Sequence, residues 1–243
     1  MPRFRPGPDP DFPRLEPTAY FQFPDPNECE DNVVGVGGNL SPGMLLSAYE
    51  QGIFPWYGPE DPLIWQSPDP RCVIFPEKLH VSSSMRKVLA ADTFKITYDE
   101  NFDGVIRNCA EKIRPGQNGT WITKDIIEAY TELHHLGFAH SAEAWQDGTL
   151  VGGCYGLLLG KIFCGESMFA NVPNASKAAF LSFAEKLFAQ GAAFIDCQIP
   201  TRHLISLGGE EMPRKDFLVL LKKYMLRREL TTNHTNQREP REI

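Results

Sequence analysis

Ala139-His-Ser-Ala-Glu-Ala-Trp-Gln-Asp147-Gly148-Thr-Leu-Val-Gly-Gly-Cys154-Tyr-Gly-Leu-Leu-Leu159-Gly160-Lys161-Ile-Phe-Cys-Gly-Glu166-Ser-Met168 is a run of apolar and small residues broken twice by turn residues. It predicts three antiparallel strands. Asp147-Gly148 suits a tight hairpin turn between the first two, and Leu159-Gly160 a turn between the second and third. Asn174 then stands where a long helix would be capped, a helix that runs to Gln190 and is stopped by Gly191. Residues 193–198 read as one more strand, and a last helix begins near Pro213. A meander followed by helix, strand and helix makes an α/β (α+β) domain.

Working outward, Ser41-Pro42 offers an N-cap and a first-turn proline for a helix that Gly52 ends. Prolines 59, 62, 68 and 70 crowd the next segment and put a junction near residue 70. Residues 71–75 read as a strand, and residues 82–91 and 102–113 as helices. Thr123 can cap a further helix, with Ile126, Ile127, Tyr130 and Leu133 at helical spacing before Gly137. The expected organisation is a small N-terminal domain over 1–70, a main domain over 71–225 and a polar tail over 226–243. Residues 1–30, rich in proline and acid, form a wrapped or flexible arm.

The chain has 243 residues, 42% of them hydrophobic, enough for a packed core. No window approaches the roughly 18 consecutive apolar residues of a membrane span. Charges and prolines occupy the N-terminus where a signal peptide needs an apolar run, so a cytoplasmic protein is expected. Six cysteines show no C-x-x-C pair, and neither a disulfide framework nor a metal site is expected. The net charge of −7 argues against coating nucleic acid by bulk electrostatics. Yet residues 1–70 carry three basic and eleven acidic side chains, so the remainder is close to balanced. Basic clusters at Arg86-Lys87, Lys112 and Arg114, Arg214-Lys215, Lys222-Lys223 and Arg227-Arg228 suit either a local polyanion contact or solvated helix faces.

Three polar side chains stand out inside apolar strands: Glu166, Asp196 and Gln198. A buried polar group left unpaired costs roughly 1–3 kcal/mol, so each must face a satisfied network or a ligand. Period-two alternation puts Asp196 and Gln198 on one face of their strand and Ile195 and Cys197 on the other. Trp56 and Trp121 sit in loop contexts, able to stack a base or to plug the seam between domains. Phe163, Met168, Phe169, Phe180 and Phe183 suit either the core or a pocket for an apolar side chain. His134, His135 and His203 are weak candidates for a catalytic base. Ser167 lacks the G-x-S-x-G elbow of a hydrolase, and the glycines at 35–38 lack the lysine of a phosphate loop.

Read together, residues 33–225 resemble the leucyl/phenylalanyl-tRNA-protein transferase family. The matching blocks are Gly37-Gly-Asn-Leu-Ser-Pro42, Gly52-Ile-Phe-Pro-Trp56, Trp65-Gln-Ser-Pro-Asp-Pro-Arg71, Gly119-Thr-Trp-Ile-Thr123, Phe163-Cys-Gly-Glu-Ser-Met-Phe169, Asn174-Ala-Ser-Lys177 and Ile195-Asp-Cys-Gln198. The resemblance implies an acetyltransferase-like (GNAT-like) mixed-sheet domain after a small N-terminal domain, and an enzyme without a cofactor. The reaction it implies moves leucine or phenylalanine from aminoacyl-tRNA to proteins beginning with arginine or lysine, marking them for degradation.

By the same resemblance, Trp56, Trp121 and Glu166 would hold the terminal adenosine, and Cys154, Phe163, Met168 and Phe183 would line the side-chain pocket. Asp196 and Gln198 would sit at the reacting amine. A carboxylate there either accepts the amine's proton, if its pKa is raised, or orients the amine; an ordinary aspartate, with a pKa of about 3.9, is a poor base, so orientation is favoured, with Gln198 fixing the geometry and relaying a hydrogen bond. Arg86 and Lys87 would contact the tRNA. Two departures from the pattern stand out: Cys154 in place of methionine, which enlarges the pocket, and Ser83, Ala90 and Ala91 where basic residues can stand. An acyl-CoA-dependent N-acyltransferase and a non-catalytic module binding aminoacyl-tRNA or peptide are the alternatives. Against the first, residues 169–173 lack a glycine-rich anion loop. No heptad or exposed apolar stripe asks for a partner, so a monomer is expected.

Overall fold

The meander forms from three long strands, β6 (Ala139–Gln146), β7 (Thr149–Leu159) and β8 (Ile162–Ala170), each antiparallel to the one before. Asp147 and Gly148 both have positive φ, 51° and 76°, the backbone that matches the twist of a tight hairpin. The second turn falls one residue later than expected, at Gly160-Lys161, because Leu159 still pairs with Ile162. The computed structural model describes residues 5–29, 31–112 and 120–225. The expected tail over 226–243, together with Arg114, Gly119 and the Arg227-Arg228 cluster, lies outside the described residues.

Helix α5 (Ala175–Ala189) follows β8 and delivers the chain to β9 (Phe194–Gln198), which pairs parallel with β8. Asn174 marks the start of α5 but does not cap it: its backbone is left-handed at φ 71° and its side chain bonds no helix N–H. The other strands of this sheet are β4 (Arg71–Ile74), β5 (Lys95–Tyr98) and β10 (Glu210–Met212), in the order β10-β4-β9-β8-β7-β6-β5. Sequence reading missed β5 and β10. Both are short edge strands, and their pairing with β6 and β4 lies in the tertiary structure rather than in any run of apolar residues.

Alternation along the strands sorts the core into two faces. Cys154, Phe163, Ile195 and Cys197 pack with α5 and with Met85 of α2 (Ser83–Ala90). Tyr155, Cys164 and Phe194 pack on the opposite side with α3 (Phe102–Glu111) and α4 (Lys124–His135). As expected, the hydroxyl of Thr123 caps α4, accepting from the Ile126 N–H at 3.4 Å.

Upstream of residue 70, β1 (Val33–Val36), β2 (Phe54–Pro55) and β3 (Ile64–Gln66) form a separate three-stranded sheet in the order β1-β3-β2. Helix α1 (Pro42–Glu50) is buried along nearly its whole length, and its Leu45, Leu46 and Tyr49 share one hydrophobic cluster with Tyr130, Leu133 and Tyr155. Ser41 precedes α1 without capping it. Its hydroxyl instead accepts from the Leu15 N–H at 3.0 Å and bonds Asn39 Oδ1 at 2.6 Å. The N-terminal arm is therefore wrapped over its described length: the Phe21 N–H donates to Ser47 Oγ, and Asn39 Nδ2 donates to the Phe12 carbonyl.

Candidate active site

A cavity of about 450 Å³ opens where β8 and β9 face the N-terminal sheet. Trp56, exposed just after β2, and Trp121, leading into α4, both line it. So do Cys154, Phe163 and Met168, which give it an apolar wall, and Glu166 and Gln198, which give it a polar one. Phe183 lies one layer behind: its ring packs edge-on to Phe163 at 5.0 Å between centroids. Phe180 reaches the cavity, whereas Phe169 belongs to the core on the other face of the sheet.

The polar wall is a network. Tyr49 Oη donates to Glu166 Oε1 at 2.6 Å, Gln198 Nε2 donates to the same oxygen at 2.9 Å, and Tyr130 Oη donates to Oε2 at 3.3 Å. The two phenols also meet each other at 2.5 Å. Burial pushes the Glu166 carboxyl up from 4.5 to about 7, against the hydrogen bonds from Tyr49, Gln198 and Tyr130, which pull it down. Near neutral pH such a carboxyl can accept from a donor edge when ionised and donate when protonated.

Asp196 occupies a different place. Its side chain is 1% exposed and forms a fork with the equally buried Arg71, Nε to Oδ1 at 2.8 Å and Nη2 to Oδ2 at 2.6 Å. Its Oδ1 also accepts from the backbone N–H of Gln198 at 2.9 Å. Arg71 in turn donates to the Gly52 carbonyl at 2.9 Å and stacks on Phe54 and Phe217. Asp196 and Gln198 share a face as expected, but Gln198 lines the cavity while Asp196 lies beneath it. Gln198 sits at the end of β9 with φ 60°, a backbone that a non-glycine residue adopts only when its surroundings hold it there.

A family model described as "Leucyl/phenylalanyl-tRNA protein transferase" matches residues 73–222, and one for that family's N-terminal domain matches residues 38–69. This chain belongs to the leucyl/phenylalanyl-tRNA protein transferase family. Relatives carrying the family name include one from Myxococcus xanthus, 52% identical over 204 residues, covering 84% of this chain and 87% of the relative. Another, from Nitratidesulfovibrio vulgaris, is 52% identical over 208 residues, 85% of this chain and 89% of its own. A third, from Flavobacterium johnsoniae, is 50% identical over 201 residues, 82% of this chain and 95% of its own. Among solved structures, L-PGS from Bacillus licheniformis gives a TM-score of 0.36 at 9% identity, over 65% of this chain and 50% of that one, too distant to argue from.

In this family member, Trp56, Trp121, Cys154, Phe163, Glu166, Met168 and Gln198 meet around one cavity. Arg86 and Lys87 do not line it: they are exposed on α2, which packs against α5. Sequence reading missed Tyr49 and Tyr130, the donors that hold Glu166, and Arg71, the partner of Asp196. Each carried a faint signal, a phenol or a guanidinium set within apolar neighbours. Among the described residues, no group of three or more His, Cys, Asp or Glu side chains is placed to hold a metal ion.

Proposed function

We propose that this chain transfers leucine or phenylalanine from aminoacyl-tRNA to the α-amino group of proteins beginning with arginine or lysine. The observation that carries the reading is one cavity with two tryptophans, an apolar wall and a polar cluster in a chain of this family. The ester of an aminoacyl-tRNA is already activated, so the site needs chiefly to hold two reactants in line. Such positioning can lower a barrier by roughly 7–11 kcal/mol.

In this reading Trp56 and Trp121 stack the terminal adenine, and Glu166 reads its polar edge. Cys154, Phe163 and Met168 receive the amino-acid side chain, with Phe183 setting the depth behind Phe163. Gln198 orients the reacting groups, and Asp196 acts through it as a positioning residue, its carboxylate taken up by Arg71 and the Gln198 N–H. Arg86 and Lys87 meet the tRNA away from the cavity. The division near residue 70 is part of the same proposal, supported by the break between the two matched family segments. So are action as a monomer and a cytoplasmic location; no helix among the described residues is long and apolar enough to cross a membrane.

The test is transfer of radiolabelled leucine from charged tRNA to two peptides that differ only in an N-terminal arginine or methionine. Label should enter the arginine peptide alone. Binding of charged tRNA with no transfer to either peptide would instead support a non-catalytic module.

A further inference from the structure

Beyond Gln198 the wall of the cavity continues along the chain itself, through Ile199, Thr201, His203 and Leu204. His203 lies on α6 (Arg202–Ser206), a single turn whose N-cap Thr201 accepts from the Leu204 N–H at 3.2 Å. The imidazole is half-buried. Among the described residues neither of its ring nitrogens has a hydrogen-bond partner; only its main-chain carbonyl is engaged, by Ser206. The imidazole lines the cavity with no hydrogen-bond partner among the described residues to hold it, so it is free to take part in proton transfer there.

Aminoacyl transfer creates a demand that the other polar groups do not meet. As the neutral amine attacks the ester carbonyl and the C–N bond forms, the nitrogen must lose a proton. As the C–O bond to the ribose breaks, the departing oxygen must gain one. Asp196 is committed to Arg71 and the Gln198 N–H, and Glu166, which accepts from Tyr49, Gln198 and Tyr130, has its remaining acceptor capacity given to the adenine edge in the reading above. We propose that His203 is a catalytic residue of this site, accepting the proton of the attacking amine and returning it to the ribose oxygen as the ester bond breaks.

The inference rests on the transferase reading. The ammonium form of the acceptor first releases a proton to solvent; the neutral amine then attacks, imidazole becomes imidazolium, and the imidazolium proton leaves with the ribose hydroxyl. Amine and ester become amide and alcohol, and the histidine ends as it began. Burial, together with the charge of Lys177 on α5, holds the His203 pKa below its usual 6.5, so at pH 7 the ring is in the neutral form that accepts. Cys154 and Tyr155 of β7, Glu166 of β8 and Cys197 of β9 are the other titratable groups on the cavity wall.

The experiment measures leucine transfer to the arginine peptide across pH 5.5 to 9 for wild type, His203→Ala, His203→Gln and Glu166→Gln, with charged-tRNA affinity measured alongside. His203→Ala should lose roughly 10²–10⁴ in kcat with tRNA affinity unchanged, and added imidazole should restore part of the rate. Full turnover in His203→Ala, or a loss that imidazole does not rescue, overturns the proposal. So does an acidic limb of the pH profile that persists in His203→Gln and vanishes in Glu166→Gln, which would assign the proton to Glu166. Failure of wild type itself to transfer would remove the transferase reading instead, and is told apart by that control.

Discussion

Glu166 is the carboxyl on the cavity wall whose surroundings bring its titration to near neutral pH. Its pKa rises from 4.5 to about 7, so the folded protein holds the proton more tightly than the unfolded chain. Its contribution to stability is therefore full below pH 4.5 and is lost as pH climbs through 7, by about 3 kcal/mol in total. Glu166→Gln keeps the shape without the charge, and the neighbouring phenols can turn to accept from its amide. Urea unfolding of this variant should show a flatter pH dependence between 4.5 and 7 and greater stability than wild type at pH 8. An unchanged slope would place the titrating group elsewhere. The sequence marked Glu166 as needing a partner, through its place in an apolar strand. It did not mark Tyr49 or Tyr130, because each lies on a helix distant in sequence, where a phenol within an apolar stripe reads as ordinary core.

At the scale of the element, β7 and β8 depend on a close approach. Their register shifts between Tyr155 and Gly156, and a Cβ on Gly156 would lie 2.1 Å from the Cys164 carbonyl oxygen and 2.7 Å from the Phe163 ring. Gly156→Ala must push the strands apart or displace Phe163. Overpacking of this kind costs roughly 1–3 kcal/mol, so the variant should melt several degrees lower, with Phe163 moved in the cavity. A thermal midpoint equal to wild type would show that the strand yields without cost. Elements with strong local signals, the 147–148 hairpin and the helix capped by Thr123, were legible in the sequence. The 159–160 turn was legible to within one residue. Asn174 and Ser41 were read as caps because their residue types favour that role. In the fold a left-handed backbone removes the first from capping and the arm takes the hydroxyl of the second.

Across the whole molecule, Arg71 and Asp196 tie the parts together. The guanidinium holds Asp196 on β9 and the Gly52 carbonyl in the N-terminal part, and it lies over Phe54 on one side and Phe217 of α7 (Arg214–Tyr224) on the other. Removing one partner strands the other charge in the core, at a cost of about 3–5 kcal/mol. Asp196→Asn should lower the stability of the whole chain by about that amount in a single unfolding transition, and slow transfer by loosening Gln198. Loss of turnover with no change in unfolding would point to a direct role at the amine instead. The sequence by itself determined the α/β class, the meander with its following helix and strand, and that Glu166, Asp196 and Gln198 need partners, because these follow from local periodicity, turn chemistry and the cost of polar groups in apolar strands. Only the tertiary structure decided that Asp196 is spent on Arg71, that two tyrosines hold Glu166, and that His203 reaches the same cavity. The first two join residues far apart along the chain, and no local pattern encodes them; His203 stands close after Gln198, and its place on the wall depends on how the chain turns beyond β9.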